Sequence, residues 1–177
     1  MSHVSHSTGH STGDGSAELA RGRRAMLRHA VATLAYRGAK AIRNAPPSVA
    51  EFHAGDTTRT PVQLLAHLGD LLDWAVTLAE GKQRWHVSTP GSWDAESARF
   101  FTALGRLDEF LASDRPLGGT PEQLLQGPIA DALTHVGQIV MLRRLAQSPV
   151  RSENFAVAQI VEGRITADQR EPKFEFD

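Results

Sequence analysis

Two tetrapeptides dictate where this chain must become helical. In Thr60-Pro61-Val62-Gln63, and again in Thr120-Pro121-Glu122-Gln123, a threonine hydroxyl can accept from the amide three residues on. The glutamine side chain can reach back to the threonine amide, and proline takes the first helical position, where its missing N–H is no loss. Behind the first tetrapeptide, Leu64, Leu65, Leu68, Leu71, Leu72, Ala75, Val76 and Ala79 recur at the three-and-four spacing of a broad buried face. Gly69, Asp73, Thr77 and Glu80 fall on the exposed side. His67 lies at the border of the apolar stripe, with Trp74 and Leu78 on the same line. Behind the second tetrapeptide, Gly127-Pro128 kinks or restarts the helix. From there to Leu145 the residues are apolar nearly all round until Arg143 and Arg144, which predicts a central helix.

The same spacing marks two more helices. Ala17 to about Asn44 carries Leu27, Ala30, Val31, Leu34, Ala41 and Ile42 on one side and Arg23, Arg24, Arg28, Arg37, Lys40 and Arg43 on the side assigned to water; Pro46 and Pro47 end it. Residues 48–59 read as a connection with Gly55 and Asp56 at its turn. Residues 81–91 read as a loop, whose Trp85 and His86, near Trp93, form an aromatic lid or pack the loop itself. Residues 92–113 carry Trp93, Phe100, Phe101, Leu104, Leu107 and Leu111 as a third stripe, and 114–119 break it. Four long helices without a strand signal predict an all-α fold, an antiparallel four-helix bundle.

The ends read differently. Residues 1–16, rich in Ser, Gly and His, have little to bury and are expected to be disordered; His3, His6 and His10 could hold a metal only loosely. Residues 17–147 form the bundle. Residues 148–177 are an irregular C-terminal extension, and Phe155, Ala158, Ile160 and Val161 are too apolar for a free end, so they are expected to pack on the bundle or on a partner.

With no cysteine among 177 residues, thiolate ligands, disulfides and a cysteine nucleophile are excluded, and any thiol chemistry needs a thiol from outside. A formal net charge of -1 with interspersed signs argues against a nucleic-acid footprint or a polybasic membrane patch. Small molecules or a second copy of the chain are the expected partners. No run is long and apolar enough to span a membrane, and the N-terminus lacks the apolar core of a signal peptide, so a cytoplasmic location is expected.

The chemistry-bearing residues lie on two helices. Asp131 and His135 are four residues apart, which stacks a carboxylate and an imidazole on one face, continued by Gln138 and Leu142. By itself such a pair is as readily a helix-dipole aspartate and a hydrogen-bonded core histidine. His67 on the second helix is the third residue: with it, facing helices of a bundle could present a His, Asp, His set. Three protein ligands leave at least one position open, the catalytic and not the structural pattern. Imidazoles with a carboxylate suit zinc; nickel, iron or manganese are also admissible. Gln138 could orient substrate or a ligand, or hydrogen-bond in the core. Asp70, one turn after His67, is expected either to support it from behind or to face solvent. Arg143 and Arg144 could draw in an anion, although cations near a helix C-terminus are favoured in any case. His29 reads as a partly exposed helix residue.

At these residues, in Gln63-Leu-Leu-Ala-His67-Leu and Asp131-Ala-Leu-Thr-His135-Val-Gly137-Gln138, the chain resembles the DinB/YfiT-like superfamily of four-helix metalloproteins. The resemblance runs over nearly all of the chain after the tail. Asn154-Phe155, Gly163 and Glu175-Phe176-Asp177 are similar to one branch. Most of that superfamily has histidine where this chain has Asp131; a mycothiol-dependent relative is similar in using a carboxylate there. The resemblance implies a divalent-metal site, often a homodimer, and a thiol-dependent transfer or isomerisation in which the metal holds the thiolate of a small cofactor. Hydrolysis would use the same open position. The reading from another class is a non-catalytic helical dimer with a degenerate site, acting as a binding or scaffold protein.

Overall fold

The structure, a computed structural model, describes residues 12–176. Helix α1 spans Thr12–Ile42, α2 Pro47–Ala50, α3 Pro61–Ala79, α4 Trp93–Ala112, α5 Pro121–Leu124 and α6 Ala130–Leu145. A π-helical turn, Leu125–Ile129, joins α5 to α6, and a 3-10 turn lies at Phe155–Val157. Among the described residues there is no strand; one isolated bridge pairs Glu153 with Glu175. Residues 12–16 belong to α1 and correct the expectation of a disordered end there, while 1–11, with His3, His6 and His10, lie outside the described residues.

Both threonine caps form as the tetrapeptides require: Thr60 accepts from the Gln63 amide and Thr120 from that of Gln123, and each glutamine returns the bond. Ser92 starts α4 by accepting from Ala95. The four long helices touch in a ring, α1 against α4 and α6, and α3 against the same two. Leu34, Leu65, Leu68, Leu72, Leu104, Leu107, Ile129 and Ile139 are fully buried between them, each stabilising the fold by about 1.5–3 kcal/mol relative to exposure. Gly38 lets α1 approach α4, since a Cβ there would stand 2.6 Å from the Phe100 ring. Residues 47–50, inside the expected connection, form the single turn α2, which buries Val49.

Three expectations about which faces are wet are corrected. First, α6 is not apolar all round. Ala132, Val136, Ile139, Leu142 and Arg143 are its buried stripe, and Asp131, Thr134, Gly137, Gln138, Met141 and Leu145 are exposed. A helix with two neighbours in a ring keeps an outer side whatever its hydropathy. Second, Gly69 on α3 is buried, because the Arg99 guanidinium of α4 lies where its Cβ would be, 2.9 Å away.

Third, the basic side of α1 is covered by the C-terminal extension. Lys40 Nζ donates to Glu153 at 2.7 Å and to Glu175 at 2.6 Å, and Tyr36 Oη donates to the same fully buried Glu153 carboxylate at 2.6 Å. Burial, and then the Glu153 carboxylate, push the Tyr36 hydroxyl far above its ordinary pKa, so it stays a donor. Arg28 pairs with Asp108 at 3.0 Å and with Glu162 at 3.7 Å, and the Arg37 guanidinium lies 4.3 Å over the Phe155 ring. Phe155, Ala158 and Ile160 are half-buried, whereas Val161 is exposed and Ile165 packs against the core.

Candidate metal centre

The three residues singled out from two distant stretches come together. One donor atom from each of His67, Asp131 and His135 lies within 4.8 Å of the others. His67 is carried on α3 two turns beyond the Thr60 cap. The register of α6 is set by the π-turn, where Gly127 is non-helical (φ -86°, ψ -105°) and Pro128 has no N–H to satisfy. Trp74 packs against Gly127 at this wide turn.

The pair on α6 is ordered. The amide oxygen of Gln138 lies 2.9 Å from His135 Nδ1; a carbonyl cannot donate, so this contact selects the tautomer of the neutral ring that donates through Nδ1 and leaves the Nε2 lone pair free. Nε2 then faces Asp131 Oδ1 at 3.4 Å. Two acceptors in that position repel unless a cation or a proton lies between them. The His67 ring crosses the His135 ring at 78° with centroids 4.7 Å apart. Burial, then the Arg59 charge, then His135 lower the pKa of His67, against smaller opposing effects of Asp131 and Asp70. The ring is therefore neutral at pH 7, with a lone pair to offer.

The donor set fits a divalent ion. Ligands about 2.0–2.2 Å from a tetrahedral centre stand roughly 3.4 Å apart, the separation between Nε2 and Oδ1. The donor atoms, all within 4.8 Å of one another, close on an ion by a shift of the His67 ring, whose side chain is only partly buried. Trp85 from the loop lies edge-on to His67 at 5.8 Å and to Trp74 at 5.9 Å, so the loop aromatic packs on the site's own residues. His29, His53 and His86 are exposed and outside the group.

Next to His135 opens a cavity of about 440 Å³ lined by Thr58, Arg59, Leu64, His135, Gln138, Met141 and Leu142. Its size suits a small organic molecule. Gln138 thus has two faces, one on the His135 ring and one on the cavity. Arg59 was not legible as a site residue, since nothing in its local sequence separates it from the rest of a connection; only the fold brings it to the cavity.

Asp70 and Arg143 are engaged elsewhere. Asp70, expected to support His67 or face solvent, is buried and does neither. Its carboxylate accepts from the Ser88 hydroxyl at 2.8 Å, the Ser88 amide at 3.2 Å and Arg99 Nη2 at 2.6 Å, tying the 81–91 loop and α4 to α3. Arg143 is buried and donates to the carbonyls of Ala41 and Arg43 at 2.8 Å, of Asn44 at 3.3 Å and of Ser148 at 3.1 Å. It closes the C-terminal end of α1 and draws in no anion. Among the described residues no helix is long and apolar enough to cross a membrane. Comparison of the chain with protein-family models, with characterised proteins and with solved structures returns no match.

Proposed function

We propose that this chain is a divalent-metal-dependent enzyme of the DinB/YfiT-like kind, an antiparallel four-helix bundle in which His67, Asp131 and His135 hold zinc, nickel or iron. The observation that carries the reading is the convergence of His67, Asp131 and His135, with His135 Nε2 3.4 Å from Asp131 Oδ1 and the His67 ring crossing that of His135. An ion held there would supply a Lewis acid with coordination positions left open for a substrate or an external thiol. Gln138 fixes the His135 tautomer from outside the ligand set. Trp85 packs edge-on against the His67 ring. The chemistry is a thiol-dependent transfer or isomerisation, or a hydrolysis, on a small molecule in the adjoining cavity, and the working form is a homodimer.

A second reading has its own observation. Asp131 keeps about half of its side chain exposed (49%), and Met141 (58%) and Leu145 (51%) lie open on the same outer side of α6. A degenerate site on a non-catalytic dimer would look similar, with His135 bonded only to Gln138 and Asp131.

Metal analysis separates the two. In a background carrying His3→Ala, His6→Ala and His10→Ala, which removes the N-terminal imidazoles, the enzyme reading expects about one equivalent of divalent metal per chain and its loss on His135→Ala. Metal-free protein, or metal unchanged by His135→Ala, sinks it. Electrophilic acceptors offered with mycothiol, bacillithiol or glutathione, beside simple esters and amides, then distinguish transfer from hydrolysis.

A further inference from the structure

One cation at the mouth of the site has no part in holding a metal. Arg59 immediately precedes the Thr60 cap, so its backbone is rooted where α3 begins. Its guanidinium is exposed on the cavity wall and, among the described residues, meets no hydrogen-bond or ion-pair partner. The arginines of α4 and the loop after it are different: Arg99 and Arg106 each face a carboxylate of Asp73 at 3.0 Å, and Arg115 faces Glu80 at 3.1 Å. Here the chain has placed a guanidinium beside an otherwise apolar wall and supplied no acid.

The rest of the lining is mixed. Leu64, Met141 and Leu142 supply its apolar surface, and His135 joins it to the candidate metal centre. Asp131, beside His135, repels an anion from that side in the metal-free protein, while Arg59 attracts one. Arg59 and His135 line the same cavity of about 440 Å³, so the span between them is that of a small molecule. A planar guanidinium fork matches a carboxylate through two parallel hydrogen bonds. A single exposed cation in an apolar wall suits a monoanion better than a doubly charged phosphate ester. Met141, unbranched and polarizable, can conform to varied apolar bodies.

We infer that this cavity binds a small organic carboxylate, with the acid group on Arg59, the apolar body against Leu64, Met141 and Leu142, and the other end toward His67, Asp131 and His135. Only the significance of that last end rests on the metal-enzyme reading.

The test uses the full-length chain in the same His3→Ala, His6→Ala and His10→Ala background, both chelator-treated and zinc-loaded, titrated with hexanoate and with its uncharged isostere hexanamide. Binding is followed by the Trp85 indole and Met141 methyl signals in NMR spectra. Hexanoate is expected to bind at least about tenfold more tightly than hexanamide. Arg59→Gln is expected to erase that difference and Arg59→Lys to keep part of it. Because Arg59 is exposed, neither variant threatens folding. Equal affinity for the two probes, hexanoate binding undiminished in Arg59→Gln, or no saturable hexanoate binding to either form overturns the inference. Arg59-dependent binding in protein that takes up no zinc upholds the carboxylate site and removes the metal reading. Stoichiometric zinc with hexanoate indifferent to Arg59 does the reverse.

Discussion

Gln138 Oε1 and His135 Nδ1 lie 2.9 Å apart, one turn of α6 from each other. This bond decides which imidazole nitrogen faces Asp131. Removing it frees the ring to rotate and to exchange tautomers, so Gln138→Leu is expected to weaken zinc affinity by roughly 10–100-fold, as loss of a hydrogen-bonding partner behind a metal ligand usually does. Competition with a chromogenic chelator measures the change. Affinity equal to wild type would mean that the amide serves only the cavity.

Asp70 gives the fold an acid limit. Burial pushes its carboxyl up, but the hydrogen bonds from Arg99 and Ser88 and the Arg99 charge outweigh burial and hold its pKa below the ordinary value. A depressed folded pKa contributes stability that is fully present above the unfolded value, about 4. That stability is lost as pH falls through the folded value. Urea denaturation of wild type and Asp70→Asn is therefore expected to show a gap at pH 6 that narrows steadily below pH 4. A gap independent of pH would show that the carboxylate's charge contributes nothing.

Arg143 is a second test of a buried polar group. Its guanidinium holds the carbonyls of Ala41, Arg43, Asn44 and Ser148 together with the Ser148 hydroxyl. Burial alone lowers its pKa, and no carboxylate offsets that effect. Arg143→Met leaves the carbonyl of the buried Ala41 and three partly buried bonds without their donor and is expected to cost about 2–4 kcal/mol in chemical denaturation. Arg143→Lys, with three donors in another geometry, is expected to recover only part. A loss below about 1 kcal/mol for Met would assign the closing of α1 to Ser148 and solvent instead.

Helix starts were legible in the sequence because capping is local: Thr60 and Thr120 bond partners three residues away, and the leucines of α3 repeat at the pitch of a helix. The juxtaposition of Asp131 with His135 was legible for the same reason, since a helix alone fixes an i, i+4 pair. What the chain could not announce depends on neighbours far away in sequence. Lys40 looked wet until Glu153 and Glu175, more than a hundred residues on, came to lie over it. Asp70 was placed behind His67 by spacing, yet Arg99 takes its charge. Arg59 became a cavity residue only when α3 met α6. Local geometry and hydropathy set each helix and its inner stripe, but which polar side chain meets which, and therefore which face is water, ion pair or site, is decided by charges finding partners when the helices pack.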